Sequence, residues 1–173
     1  MKHKSEIIER FKEFQSEVEN HRNKKIKFLR SDRGEEYFSY EFGLQLKQCE
    51  IVSLLTPPGT PQHNGVSERH NRTLLDIVQS MMFLTDLPLS FWGYELVDAC
   101  EPCLMGKMTK TPFSGPMERA TDLLEIIHTD VCGPMNIEAR SRYHYFLTFT
   151  DDLSRYGYIY LMKQKSGTFE KFI

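Results

Sequence analysis

Five short apolar runs constrain this chain most. Residues 26–30, 51–55, 124–128, 143–150 and 156–162 each read as a β-strand. Helical patterns separate them. Ile7, Phe11, Phe14 and Val18 recur at helical spacing, which predicts an amphipathic helix over 5–20, with Ser5 as N-cap and Glu6 and Glu9 in its first turn. Residues 40–48 read as a short helix. A longer one is predicted over 65–84, with Leu74, Val78 and Met81 as its apolar stripe and Leu75 and Met82 beside it. Pro88 opens another through Phe91, Trp92, Leu96 and Val97. Residues 56–65 hold three Pro and two Gly and must be a loop. Residues 100–121 follow no period and read as a linker. Asp151-Asp-Leu-Ser-Arg turns the last two strands into a hairpin. The expectation is an α/β fold: a mixed, mostly antiparallel five-stranded sheet flanked by helices.

At 173 residues the chain amounts to about one domain, and 12 Phe and 8 Tyr can fill its core. A net charge of −2 and a pI near 6.3 argue against a strongly basic nucleic-acid module. They leave room for nucleic acid handled by a local patch and a metal. No apolar run approaches the ~20 residues of a membrane span. The charged start, MKHKSEIIERFKEF, lacks the apolar stretch of a secretory signal. Four cysteines are too few for a disulfide scaffold, so a reducing, intracellular setting is expected.

Residues 1–12, MKHKSEIIERFK, return as 162–173, MKQKSGTFEKFI, with six of twelve positions identical. Only the two ends match, so this is not a solenoid period. The end of the chain runs into the segment with which it began.

Three carboxylates carry the candidate chemistry. Asp32 is predicted just after a strand, Glu68 near the start of a helix, and Asp130 just after another strand; 35 residues lie between Asp32 and Glu68. Carboxylates so placed can converge on one pocket. A charge of about −3 there is tolerable only beside divalent metal. Hard oxygen donors suit Mg²⁺ or Mn²⁺, and two such ions can serve phosphodiester chemistry. Against this, most of the 24 acidic residues must be ordinary solvated groups.

The words around them are more specific. LRSDRGEEYFS, LTPPGTPQHNGVSERHNRTLLDIVQSMM, LPLSFWGYEL, GKMTKTPF, IHTDVCGPM and YFLTFTDDLSRYGYIYLM together resemble the integrase of copia-type long-terminal-repeat retrotransposons. The resemblance covers nearly the whole chain. It implies a ribonuclease-H-like core whose first Asp, second Asp and Glu match Asp130, Asp32 and Glu68. It implies two Mg²⁺ or Mn²⁺ ions, 3′-end cleavage of element DNA, strand transfer into target DNA, and a nuclear site of action reached from a cytoplasmic particle. The family's order is inverted here. Residues 1–99 resemble its second half and 124–173 its first, with a linker over 100–123. Joining 162 back to 1 restores the order and sets Asp130 63 positions before Asp32. The chain thus reads as a circular permutation, a slice of tandem copies or a rearranged remnant. The ~24-residue linker can reach on the order of 80 Å, ample for closure. The duplicated helix start favours exchange of halves between copies, so a homo-oligomer is expected. The alternative is a non-catalytic remnant, at most a weak DNA-binding or self-associating module.

Further candidates follow. Asn64 and His63 match positions beside the DNA in the family. Arg69 and Arg72 lie one turn from Glu68 and could touch a phosphate backbone. Lys107 and Lys110 add basic charge, as do Lys24, Lys25, Lys27, Arg30 and Arg33. Cys100 and Cys103 have zinc-knuckle spacing, and in the family such a pair ends a zinc domain. No His pair precedes them here, so a Zn²⁺ site is not expected in a single chain. Asp151 and Asp152 read as turn residues, and Trp92 with Phe91 as core. Where the family has SDRGGEY, this chain has Glu35, a departure that matters if the turn needs positive φ.

Overall fold

The computed structural model describes residues 6–32, 34–57, 64–85, 88–93 and 119–165. Helix α1 spans Glu6–Arg22, strand β1 Phe28–Ser31, helix α2 Tyr40–Gln48, strand β2 Val52–Leu55 and helix α3 Gly65–Thr85. Strands β3 (Ile126–Cys132), β4 (Tyr145–Asp151) and β5 (Gly157–Met162) follow. Among the described residues no helix is long and apolar enough to cross a membrane.

The five strands form one mixed sheet in the order β2-β1-β3-β4-β5. It is evenly divided rather than mostly antiparallel. β1 pairs in parallel with β2 and with β3, whereas β3–β4 and β4–β5 are antiparallel. The parallel pairs arise because α2 separates β1 from β2 and the incoming chain delivers β3 in the direction of β1. Mixed order with helices on both faces is compatible with a ribonuclease-H-like fold.

One expected boundary moves for a physical reason. The strand predicted over 124–128 starts at Ile126 and continues to Cys132. Leu124 sits at φ 62, a left-handed conformation that cannot enter a ladder. Asp130 is therefore inside a strand, not just beyond one. After Pro88 the chain forms a 3₁₀ turn, Leu89–Phe91, and Trp92 and Gly93 that follow it are helical; Leu96 and Val97 lie outside the described residues, as does Ser5. Gly34 has φ −59, and residue 35 opens a 3₁₀ helix over Glu35–Phe38, so this turn makes no demand for glycine at 35.

Strand alternation sends side chains to two different faces. On one, α1 contributes Ile7, Phe11, Phe14 and Val18, and α2 contributes Phe42 and Leu46. These cover Leu29, Ile127, Val131, Leu147 and Phe149. Phe14 stacks on Phe149 with centroids 4.4 Å apart, and Phe11 meets Phe42 edge-on at 5.6 Å. On the other face, α3 presents Leu74, Ile77, Val78 and Met82 to Trp92 and Phe146. The stripe of α3 therefore includes Ile77, and Met82 takes the buried place expected for Met81. Trp92 is core and donates its indole N–H to the Ile137 carbonyl at 2.7 Å.

Candidate functional site

Strand β3 reads Ile-Ile-His-Thr-Asp-Val-Cys. Its alternation turns Ile127 and Val131 to the aromatic face and aims His128 and Asp130 toward α3. Polar groups set under a helix need partners, and α3 supplies them. Asn71 donates its Nδ2 to Asp130 Oδ2 at 2.8 Å, and its Oδ1 accepts from Thr148 Oγ1 at 2.8 Å. Thr148 is the cross-strand neighbour of Asp130. Asp130 is thus held from helix and sheet together. Asn71 escaped the sequence reading, although its spacing of three from Glu68 puts both on one side of α3.

Asp32 follows β1 directly. The parallel register sets Phe28 opposite Ile126 and Arg30 opposite His128, and its continuation brings Asp32 beside Asp130. Asp32 Oδ1 accepts the Gly34 N–H at 3.0 Å, which fixes the carboxylate in the turn. Glu68 stands in the first turn of α3 and is exposed. Burial, first, and then the charges of Asp32 and Glu68 push the Asp130 carboxyl up to about 7; Asn71 opposes this. Asp130 is therefore close enough to Asp32 and to Glu68 to feel both charges, across strands and a helix distant in sequence.

The trio is open rather than clenched. Among the described residues, no three His, Cys, Asp or Glu side chains gather tightly enough to hold one metal ion. The donor chemistry nevertheless fits a hard divalent cation. Asp130 is crowded by like charge, and an all-oxygen set suits Mg²⁺ or Mn²⁺.

The other candidates divide. Asn64 is 1% exposed and donates Nδ2 to the Thr129 carbonyl at 3.2 Å, so it anchors the start of α3 to β3. Arg69 is half-buried and Arg72 exposed on α3. Arg33, His63, Lys107, Lys110, Cys100 and Cys103 lie outside the described residues. The lysines after α1 form surface ion pairs: Lys24 with Asp122, Lys25 with Glu19 at 2.7 Å and Lys27 with Glu125 at 3.3 Å. Arg30 is buried.

Asp151 behaves as a turn residue: its Oδ2 accepts from Ser154 N and Oγ, both at 2.7 Å, and its Oδ1 from Leu124 N at 2.9 Å. Asp152 does more. It is buried, and its Oδ1 accepts from His128 Nε2 at 3.1 Å, Arg119 Nη1 at 3.1 Å and Arg155 Nη1 at 3.2 Å. Its Oδ2 accepts the Ala120 N–H at 2.9 Å. Burial pushes the Asp152 carboxyl up, but the bonds from His128 and Ala120 outweigh it and hold the group well below the carboxylate range. Burial, first, lowers the His128 imidazole below its ordinary value, against the pull of Asp152.

No family model matches the chain. It is 45% identical over 100 residues to a retrovirus-related Pol polyprotein from transposon TNT 1-94 of Nicotiana tabacum; the match covers 58% of this chain and 8% of that protein. It is 34% and 33% identical to the corresponding polyproteins from transposons RE2 and RE1 of Arabidopsis thaliana, each over 54% of this chain and 6% of the relative. The chain thus spans a small fraction of these relatives' length. Homology over about half of it supports a retrotransposon-derived protein.

Proposed function

We propose that this chain, retrotransposon-derived by its homology to Pol polyproteins, is an integrase catalytic core in rearranged order. Residues 124–173 supply the family's first half, 1–99 its second, and 100–123 the connection. The observation that carries the reading is the placement of Asp130, held by Asn71 under α3, within reach of the charges of Asp32 and Glu68.

Asp130, Asp32 and Glu68 would hold Mg²⁺ or Mn²⁺, which when bound supplies Lewis acidity and a more acidic water. Asn71 aims the Asp130 carboxylate, and the Gly34 N–H fixes Asp32. In the reaction a water oxygen attacks phosphorus while the P–O3′ bond breaks, and the element strand keeps a 3′ hydroxyl. That hydroxyl attacks a phosphodiester of target DNA, exchanging one P–O bond for another. Arg69, Arg72, Asn64, His63, Lys107 and Lys110 are proposed DNA contacts. DNA ends and target DNA are the proposed partners, a homo-oligomer the proposed assembly and the nucleus the place of action. Cys100 and Cys103 do not complete a zinc site in one chain.

The test is nicking of element-end DNA with Mg²⁺ or Mn²⁺, paired with titration calorimetry. The reading expects metal binding and nicking, both lost in Glu68→Gln. The openness of the trio favours a second reading, a non-catalytic remnant. Folded protein with no heat of binding and no nicking in either form establishes the remnant.

A further inference from the structure

The first two turns of α3 stand on the sheet at three places. Asn64, just before the helix, donates to the Thr129 carbonyl on β3. Asn71 reaches Asp130 on β3 and Thr148 on β4. His70 lies against Gly157, the first residue of β5 and the register partner of Thr150. The contacts differ in kind. The two asparagines hold by hydrogen bonds. His70 is 1% exposed, and neither of its ring nitrogens has a hydrogen-bond partner among the described residues. Its ring holds by contact alone.

That contact has no slack. A Cβ on residue 157 would meet His70 Cε1 at 2.3 Å, whereas an ordinary contact needs at least 3.4 Å, so the ring would have to retreat by about 1 Å. Glycine in a strand marks such a close approach and weakens the strand. A buried imidazole without partners costs stability as well. Packing alone does not account for this pair.

Helical geometry shows what the pair can position. At about 100° per residue, His70 lies about 100° round the helix from Asn71 on one side, and Glu68 about 60° from it on the other. His70 bears on β5, and from the opposite flank the charge of Glu68 reaches Asp130. Asn71, tied to both β3 and β4, is the pivot between them. Raising the His70 flank rolls Glu68 toward the sheet; lowering it rolls Glu68 away.

We propose that the His70 ring seated on Gly157 is a positioning element: it fixes the roll of α3 about Asn71, and with it the distance between Glu68 and Asp130. The openness of the acidic trio is then set at the sheet edge, two strands away from Asp130. The proposal rests on the integrase reading for the role of Glu68 as a metal ligand, yet its test needs neither metal nor DNA.

The test is the ¹³C titration of the Asp130 carboxyl in the full, metal-free chain carrying Gly157→Ala, His70→Ala or both. Each variant is repeated in a Glu68→Gln background. Gly157→Ala should raise the Asp130 midpoint, because Glu68 rolls closer. His70→Ala should lower it, and the double variant should return toward the parent. All three shifts should vanish with Glu68→Gln, since the footing acts through that charge. A merely structural contact would change stability and leave these midpoints in place. His70→Ala, which relieves crowding instead of adding it, keeps the test valid if Gly157→Ala does not fold. Unmoved midpoints in folded variants overturn the proposal. So do shifts of one sign in both single variants, or shifts that persist with Glu68→Gln. The expected shifts without metal heat or nicking keep the footing and reject the catalytic reading; metal heat and nicking with unmoved midpoints do the reverse.

Discussion

The two faces of the sheet are built from opposite materials. The face under α1 and α2 is aromatic and aliphatic, with Phe11, Phe14, Phe42 and Phe149 packed ring to ring. The face under α3 mixes Leu74, Ile77 and Phe146 with buried His70, His128, Asn71, Thr148 and Thr150. Several of its polar atoms are buried without a hydrogen-bond partner among the described residues: both ring nitrogens of His70, Nδ1 of His128 and Oγ1 of Thr150. Such atoms cost stability, and an apolar replacement would remove the penalty. The contrast teaches that one face holds the sheet together and the other is committed to positioning charge.

The largest expected effect belongs to the apolar face. Phe149→Ala removes a ring packed against Phe11, Phe14 and Tyr160 and should cost about 3–5 kcal/mol in denaturant unfolding. A loss under ~1 kcal/mol would erase the distinction between the faces.

The next sharpens the polar face. His70 packs directly against Gly157: a Cβ there would meet His70 Cε1 at 2.3 Å and Nε2 at 2.6 Å. Gly157→Ala should cost about 1–3 kcal/mol. Much of that loss should return when His70→Ala is added, because the two share one contact. Strictly additive losses would show that His70 does not rest on β5.

A third effect is a pH dependence with two opposing parts. Burial lowers His70 to about 4 from its ordinary 6.5. Its contribution is intact above 6.5 and is lost as pH falls toward 4. Asp130 is raised from 3.8 to about 7, so its contribution is intact below 3.8 and lost as pH rises through 7. Between 4 and 6.5 the two slopes oppose each other. Asp130→Asn should stabilise the metal-free protein at pH 8 by on the order of 1–2 kcal/mol, discounted for partial exposure. It should also unmask an acid loss that His70→Ala then removes. Equal stability of wild type and Asp130→Asn at pH 8 would contradict the crowding. At the small end, Lys25→Ala removes an ammonium that is 82% exposed from its pair with Glu19 and should leave the unfolding midpoint nearly unchanged.

Local pattern made most of the fold legible. Alternation located all five strands within a few residues, and helical spacing located α1, α2 and α3. The early start expected for β3 failed because Leu124 carries a left-handed φ, set by its N–H bond to Asp151. That bond is tertiary and leaves no local mark. The same holds at the site. Asp130, Asp32 and Glu68 stand out as motif residues, whereas Asn71, His70 and Asp152 gain their roles only from the register between α3 and the sheet. Asp152 looks like half of an ordinary turn in sequence. It becomes a buried anchor because β3 places His128 beside it.

The central claim is that three carboxylates from distant parts of the chain share one electrostatic environment. Carboxyl ¹³C NMR titration of Asp130 in the metal-free protein tests it most directly. The account predicts a midpoint near 7 that falls in Glu68→Gln and in Asp32→Asn, and falls again when Mg²⁺ is added. A midpoint near the ordinary aspartate value, indifferent to both substitutions and to Mg²⁺, would contradict it.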